Sequence, residues 1–174
     1  MIKESEIVGT PIINKNGDKV ASIKEILYSK SRKKVNAFLI SENGLFKRPQ
    51  IVKFIDISEL GKDAIFIENE RTLKRHHSKI EDHFNYKEAI GKEVITDQGE
   101  SLGFINDILI DKNEGAVVGF ILTDGIIEDI STGRKVLPYD KDIVFGEDTI
   151  IISTSLNERF NKHKKDYKKL LELL

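Results

Sequence analysis

"GESLGFINDILIDKNEGAVVGF" (residues 99–120) repeats, in altered form, "GDKVASIKEILYSKSRKKVNAF" (residues 17–38). A shift of 82 residues aligns the two copies without a gap from Ile7/Ala89 to Glu42/Asp124. Gly9 meets Gly91, Gly17 meets Gly99, and Ile23, Ile26 and Leu27 meet Ile105, Ile108 and Leu109. The second copy then carries three extra residues within "IIEDISTGRK" (126–135). Beyond them "IVKF" (51–54) pairs with "VLPY" (136–139), and "GKDAIFI" (61–67) with "GEDTIII" (146–152). One order of glycines and apolar residues, kept across two stretches, is the mark of an internal duplication.

The matched positions describe a β-rich unit. Each copy opens with an apolar run, a turn and a second run. Asn16-Gly17 and Gln98-Gly99 occupy the turn, where glycine tolerates positive φ and a tight hairpin is expected. After the turn the apolar residues do not alternate strictly: Ile23, Ile26 and Leu27 break the period of two. That predicts a bulge, which adds a residue and changes the side chains that face inward. "VNAFLIS" and "VVGFILT" are β-rich runs of buried-strand length. A short strand, a link and a final strand follow, giving about five strands per copy. The predicted cores are Ile13, Ile23, Ile26, Leu27, Phe38 and Ile65, and Ile95, Ile105, Ile108, Leu109, Phe120 and Ile150. A small closed or nearly closed barrel leaves no long unpaired edge.

"IVGTPIINKNGDKVASIKEILYSKSRKKVNAFLI" and "AIGKEVITDQGESLGFINDILIDKNEGAVVGFIL" resemble the PRC-barrel family, found in the H subunit of photosynthetic reaction centres and the C-terminal domain of the ribosome-maturation protein RimM. The second copy carries the family's pattern through Gly91, Gly99, Gly103, Asp107, Asp111, Pro138 and "GEDTIII". The first departs from it: Ala21 replaces a glycine, Glu25 and Ser29 replace the aspartates, and Lys53 replaces the proline. The resemblance implies a mainly β fold of two tandem small β-barrels, residues 1–69 and 88–154; the residues between and after them read as a connector at 70–87 and a C-terminal amphipathic helix at 155–174. It also implies docking or adaptor roles and brings no common catalytic residue.

Composition narrows the chemistry. The 174 residues contain no cysteine, which excludes disulfides, thiolate metal sites and cysteine nucleophiles. "MIKESEIVGT" has no apolar signal region, and no stretch approaches the ~18 apolar residues of a membrane helix. A soluble cytoplasmic protein is expected. The net charge of −1 is unevenly distributed. Residues 88–154 hold 5 Lys/Arg against 14 Asp/Glu, whereas residues 1–69 hold 12 against 9. Such asymmetry bears on partners more than on fold.

The connector "ERTLKRHHSKIEDHFNYKE" (70–88) places Leu73, His77, Ile80 and Phe84 at helical spacing, and a helical or irregular segment is expected. In the tail, Ser155 and Glu158 form a candidate capping box. Leu156, Phe160, Tyr167, Leu170, Leu171 and Leu174 make one apolar stripe among lysines. So short a helix must dock, and packing across the two barrels is expected ahead of a dimer contact or a membrane anchor.

Catalytic and metal chemistry find little support. His76, His77 and His83 share the connector with Glu81, but zinc needs three or four converging ligands, and the histidines read as solvated. His163 lies in the Lys-rich tail. Asp107 and Asp111 resemble paired carboxylates, yet no burial is expected to raise either pKa, and Asp111 suits a turn. No catalytic residue, metal site or cofactor is therefore assigned. The candidate partner-binding residues are Lys30, Arg32, Lys33, Lys34, Lys47 and Arg48. The first four fall where the second copy has Lys112, Asn113, Glu114 and Gly115, and Lys47-Arg48 answers to Glu128-Asp129. A non-enzymatic adaptor binding a protein through these loops is expected, with an RNA- or ribosome-associated factor as the alternative. Opposed charged loops or the tail helix offer routes to a homodimer.

Overall fold

A computed structural model of the protein describes residues 1–29, 33–41, 49–75, 83–84, 86–124 and 135–163, with 83–84 described in their backbone alone. The chain divides into two compact units. One gathers Ile2–Asn85 together with Asp111–Ala116; the other gathers Met1, Tyr86–Ile110 and Val117–Leu174.

After the extended pair Ile2–Lys3, the first unit runs through the short helix α1 (Glu4–Ile7), β1 (Pro11–Asn14), β2 (Lys19–Ser29), β3 (Lys34–Ser41), β4 (Gln50–Lys53), β5 (Ile57–Leu60) and β6 (Ile65–Ile67). β7 (Lys74–Arg75) and β8 (His83–Phe84) complete it. The strand order is β5-β6-β1-β2-β3-β4-β7, with β8 beside β2. β1 and β6 run parallel and the other neighbours antiparallel. The second unit repeats this with β9 (Glu93–Thr96), β10 (Ser101–Ile110), β11 (Val117–Thr123), β12 (Lys135–Pro138), β13 (Val144–Phe145) and β14 (Thr149–Ile152). Their order is β12-β11-β10-β9-β14-β13, again with one parallel pair, β9 and β14. The fold is mainly β, as predicted. Each sheet is an open path curled like half a barrel rather than a closed ring.

The copies agree bond by bond. Gly9 N–H donates to the Ile23 carbonyl at 2.8 Å, and Gly91 N–H to that of Ile105 at 2.7 Å. Gly17 N–H reaches the Asn14 carbonyl at 3.0 Å, and Gly99 N–H that of Thr96 at 2.9 Å. Gly61 and Gly146 close the last turn on Ala64 and Thr149 at 3.1 and 2.9 Å. Equivalence also extends upstream, where the one-turn helix Glu4–Ile7 is answered by the 3₁₀ turn Tyr86–Ala89.

Both long strands carry the predicted bulge, and a second one besides. β2 shifts register against β3 between Ile23 and Glu25 and again between Leu27 and Tyr28. β10 does so between Ile105 and Asp107 and between Leu109 and Ile110. The shifts bring Ile23, Ile26 and Tyr28 into one core, and Ile105, Ile108, Leu109 and Ile110 into the other. Phe38 and Phe120 lie fully buried at equivalent points on β3 and β11.

Ile13 and Ile95 do not belong to the core. Ile12 and Val94 are fully buried in their place, while Ile13 and Ile95 sit half-exposed on the outer face. Leu27 is likewise half-buried, and Tyr28 takes the inward position. The turn is also longer than a two-residue hairpin. Asn14 Oδ1 accepts from Asn16 and Asp18 N–H at 2.9 and 3.0 Å, and Thr96 Oγ1 accepts from Gln98 and Glu100 N–H at 3.3 and 3.0 Å. A buried side chain at the start of the loop thus holds each turn.

In the described part of the connector, two-residue strands alternate with 3₁₀ turns, and His77 and Ile80 of the predicted helical spacing lie outside the described residues. A 3₁₀ turn at Glu70–Thr72 leads into β7, whose Arg75 and Lys74 pair with Gln50 and Ile51 on the outer edge of β4. The helix α2 (Thr154–Lys162) is capped two residues before the predicted position: Ser153, not Ser155, accepts from Leu156 N–H, at 3.2 Å. Asp97 sets that start by accepting the Thr154 N–H at 2.9 Å. Leu156, Asn157 and Phe160 are buried, and Arg159 pairs with Asp140 at 3.1 Å. All these partners lie in the second unit. Tyr167, Leu170, Leu171 and Leu174 lie outside the described residues.

Gly103 shows how closely β10 is fitted. Its φ is +109°, and a Cβ there would fall 2.6 Å from the Thr123 carbonyl oxygen and onto the Asp124 carboxylate. In urea unfolding of the full chain, Ile12→Ala and Val94→Ala should each cost about 2–5 kcal/mol, as buried large-to-small changes do. Ile13→Ala and Ile95→Ala should cost about 1 kcal/mol or less. Equal losses at both members of a pair would contradict the facing described here.

Candidate functional site

The turn between β2 and β3 is the place to look for the predicted basic cluster. Lys30, Arg32, Lys47 and Arg48 lie outside the described residues. Lys33 and Lys34 are described. Lys33 adopts a left-handed backbone, φ +53°, and its N–H closes the turn on the Ser29 carbonyl at 3.0 Å. A non-glycine residue rarely sits there. It lifts Lys33 out of the strand and starts β3 at Lys34.

The first unit surrounds this turn with its own segment Asp111–Ala116. Asp111 Oδ1 accepts from Asn113 and Glu114 N–H at 2.9 and 2.8 Å, so Asp111 shapes a turn as expected. Val35 N–H donates to the Gly115 carbonyl at 2.8 Å, and Lys34 faces Glu114 at 3.4 Å. Both side chains of that ion pair are well exposed, 44% and 72%, so its Coulomb energy is strongly screened. Gly115 lies against the Phe54 ring, where a Cβ would meet ring carbons at 3.1 Å.

Beside this contact runs a groove of about 470 Å³, lined by Phe54, Ile55, Ile57, Leu60, Lys112 and Asn113, with Ser58 and Glu59 along the edge strand β5. Ile55 is 86% exposed at its rim, the most exposed of the large apolar side chains described. The 3₁₀ turn Phe54–Asp56 holds it there: Phe54 packs inward on Phe38, with ring centroids 6.3 Å apart, and its neighbour is left pointing out. Ile55 follows directly on the short strand expected to end at Phe54, and nothing in the local pattern marks it as exposed. Its one signal is that the aligned residue, Asp140, is polar.

Other titratable groups serve the fold. Asp107, predicted to be unburied, is 4% exposed, and its Oδ1 accepts the Ile108 N–H at 2.8 Å, clasping the bulge. Glu4 is buried and accepts a hydrogen bond from the Tyr28 hydroxyl. In the second unit the aligned positions are Tyr86 and Ile110, and an aromatic cluster replaces the polar pair. Tyr86 packs on Phe120, Tyr139 and Phe145 with centroids 5.7–6.5 Å apart. Burial, and then the Tyr139 phenol beside it, push the Tyr86 pKa well above the ordinary value near 10. Among the described residues no three His, Asp or Glu side chains are grouped to hold a metal ion. His76, His77 and Glu81 lie outside those residues, as does the His83 side chain. Among the described residues no helix is long and apolar enough to cross a membrane.

A family model of the PRC-barrel domain matches residues 1–74 and again residues 81–156. The chain belongs to the PRC-barrel family. It is a tandem member, and the duplication read from its glycines is a duplication of this module. No curated protein matches the chain.

Two measurements check this description. Tyr28→Phe should cost about 1–3 kcal/mol in urea unfolding by removing a donor from a buried carboxylate. Because its folded pKa is raised, Tyr86 contributes stability that is complete below pH ~10 and declines at higher pH, as the unfolded phenol ionises. Tyr86→Phe should flatten that decline between about pH 10 and 11. An unchanged alkaline profile would count against it.

Proposed function

We propose that this PRC-barrel protein is a non-enzymatic adaptor that binds another protein through the exposed loops of its first barrel. The observation that carries this reading is Ile55, held out at 86% exposure on a groove whose lining mixes Phe54, Ile57 and Leu60 with Glu59, Lys112 and Asn113. An isolated apolar side chain costs free energy in water and gains it when covered, and cations around it orient the approaching surface. RNA would use the cations but has no need of Ile55 or of the groove beneath it. The proposed partner therefore offers an apolar side chain to the groove and carboxylates to Lys33, Lys34 and Lys112. Catalysis has no part in this reading, and a cytoplasmic setting is the compartment it assumes.

Immobilised full-length protein should retain a defined partner from its own cell extract. Ile55→Asp should release that partner, and Lys33→Glu with Lys34→Glu should weaken its capture at low salt more than at high salt. If capture proves indifferent to both changes, or if the retained material is RNA whose binding falls steeply with salt, the adaptor reading fails.

A further inference from the structure

The outer face of the second sheet differs from its counterpart in a way the core does not require. Ladder partners share a face, so the register places Val144, Ile151 and Ile95 in one row across β13, β14 and β9. Phe104 stands in the adjacent row, opposite Glu93. Val144 is 57% exposed, Phe104 45% and Ile151 37%, and Ile95 is half-buried. The equivalent row of the first sheet reads Glu59, Phe66 and Ile13, with Ser22 where Phe104 stands. The first copy thus places a carboxylate and a serine where the second has Val144 and Phe104, while Glu93 of the second stands where the first has Pro11.

Carboxylates border this surface. Glu93 lies in the row with Phe104, Asp97 follows Ile95 along the chain, Asp142 precedes Val144, and Glu147 and Asp148 form the exposed turn joining β13 to β14. Glu93 accepts from the Ser101 hydroxyl at 2.6 Å, and Asp97 accepts from the Thr154 N–H at 2.9 Å. Among the described residues, Lys141 beside Asp142 is exposed, and Lys92 turns its ammonium to the Gly146 carbonyl at 2.9 Å. Residues 88–154 as a whole hold 5 basic against 14 acidic residues.

We infer that the outer face of β13, β14, β9 and β10 is a docking surface for a cationic amphipathic segment of another protein. An apolar stripe covers Val144, Ile151, Ile95 and Phe104, and flanking Lys or Arg side chains meet Glu93, Asp97, Asp142 and Asp148. Charge selects this occupant. Anionic lipid, nucleic acid and a second copy of the same acidic face would all bring like charge to these carboxylates. The inference rests on the adaptor reading only in taking a protein as ligand, and it uses a different surface.

The test uses the full chain and a synthetic Leu/Lys peptide of about five helical turns with one apolar face. A peptide of the same composition in scrambled order has no such face. Fluorescence anisotropy should show the amphipathic peptide binding at least about tenfold more tightly than the scrambled one, with affinity falling as salt rises. V144E with F104S copies the first sheet's residues onto the second and alters only exposed positions. It should weaken binding at least about tenfold with the circular dichroism spectrum and melting curve unchanged. Equal affinity for both peptides, or for the native and variant proteins, would overturn the inference. So would a dimer in light scattering that V144E/F104S dissociates, since the face would then belong to a second copy. Capture of a natural partner that I55D abolishes and V144E/F104S leaves intact would remove this face while keeping the adaptor. The reverse pattern would keep the face and remove the first-barrel reading.

Discussion

Each long strand must serve two parts of a curved sheet within ten or eleven residues, and two bulges let it do so. A regular strand would present every second side chain to one core. The extra residue at each register shift resets that alternation and raises the local twist, so Ile105, Asp107, Ile108, Leu109 and Ile110 are all buried on one strand. Everything downstream depends on this. The bulges aim Phe38 and Phe120 at their cores, curl the sheets, and bring the first and last strands of each module into parallel contact.

The two copies have kept the backbone solution and changed what fills it. Beside α1 a glutamate accepts from a tyrosine hydroxyl, and beside the equivalent 3₁₀ turn a tyrosine packs among three aromatic rings. The first device depends on a hydrogen bond to a carboxylate, the second on burial of aromatic area. Both anchor the segment preceding the first strand to the core. The same freedom applies outside, where charge and apolar surface were redistributed without altering a ladder. Function in this family therefore has to be sought in surfaces, because the scaffold tolerates many of them.

The sequence showed the module, its duplication and the bulged strands because glycines and aliphatic residues recur in register. It did not show which of two neighbouring apolar residues points inward. Ile12-Ile13 and Val94-Ile95 are ambiguous because alternation is informative only when the opposite face is polar, and here the outer face is partly apolar too. "STS" at 153–155 offers three possible caps, and Asp97, 57 residues away, makes the choice. The pairing of Lys74 and Arg75 with β4 is a long-range contact that local periodicity does not contain. Of the site, the Lys33–Lys34 turn was visible as charge, whereas Ile55, just past the expected short strand, had no pattern to mark it as exposed.

Gly103 carries a consequence for how the protein assembles itself. Tandem copies of one module invite strand exchange, in which a hairpin from one copy completes the other during folding. Ala21 is the residue that β2 would bring to the position of Gly103, and its methyl group would land on the Thr123 carbonyl and the Asp124 carboxylate. The first hairpin is thus a misfit in the second sheet. A single methyl group helps each copy complete its own half-barrel.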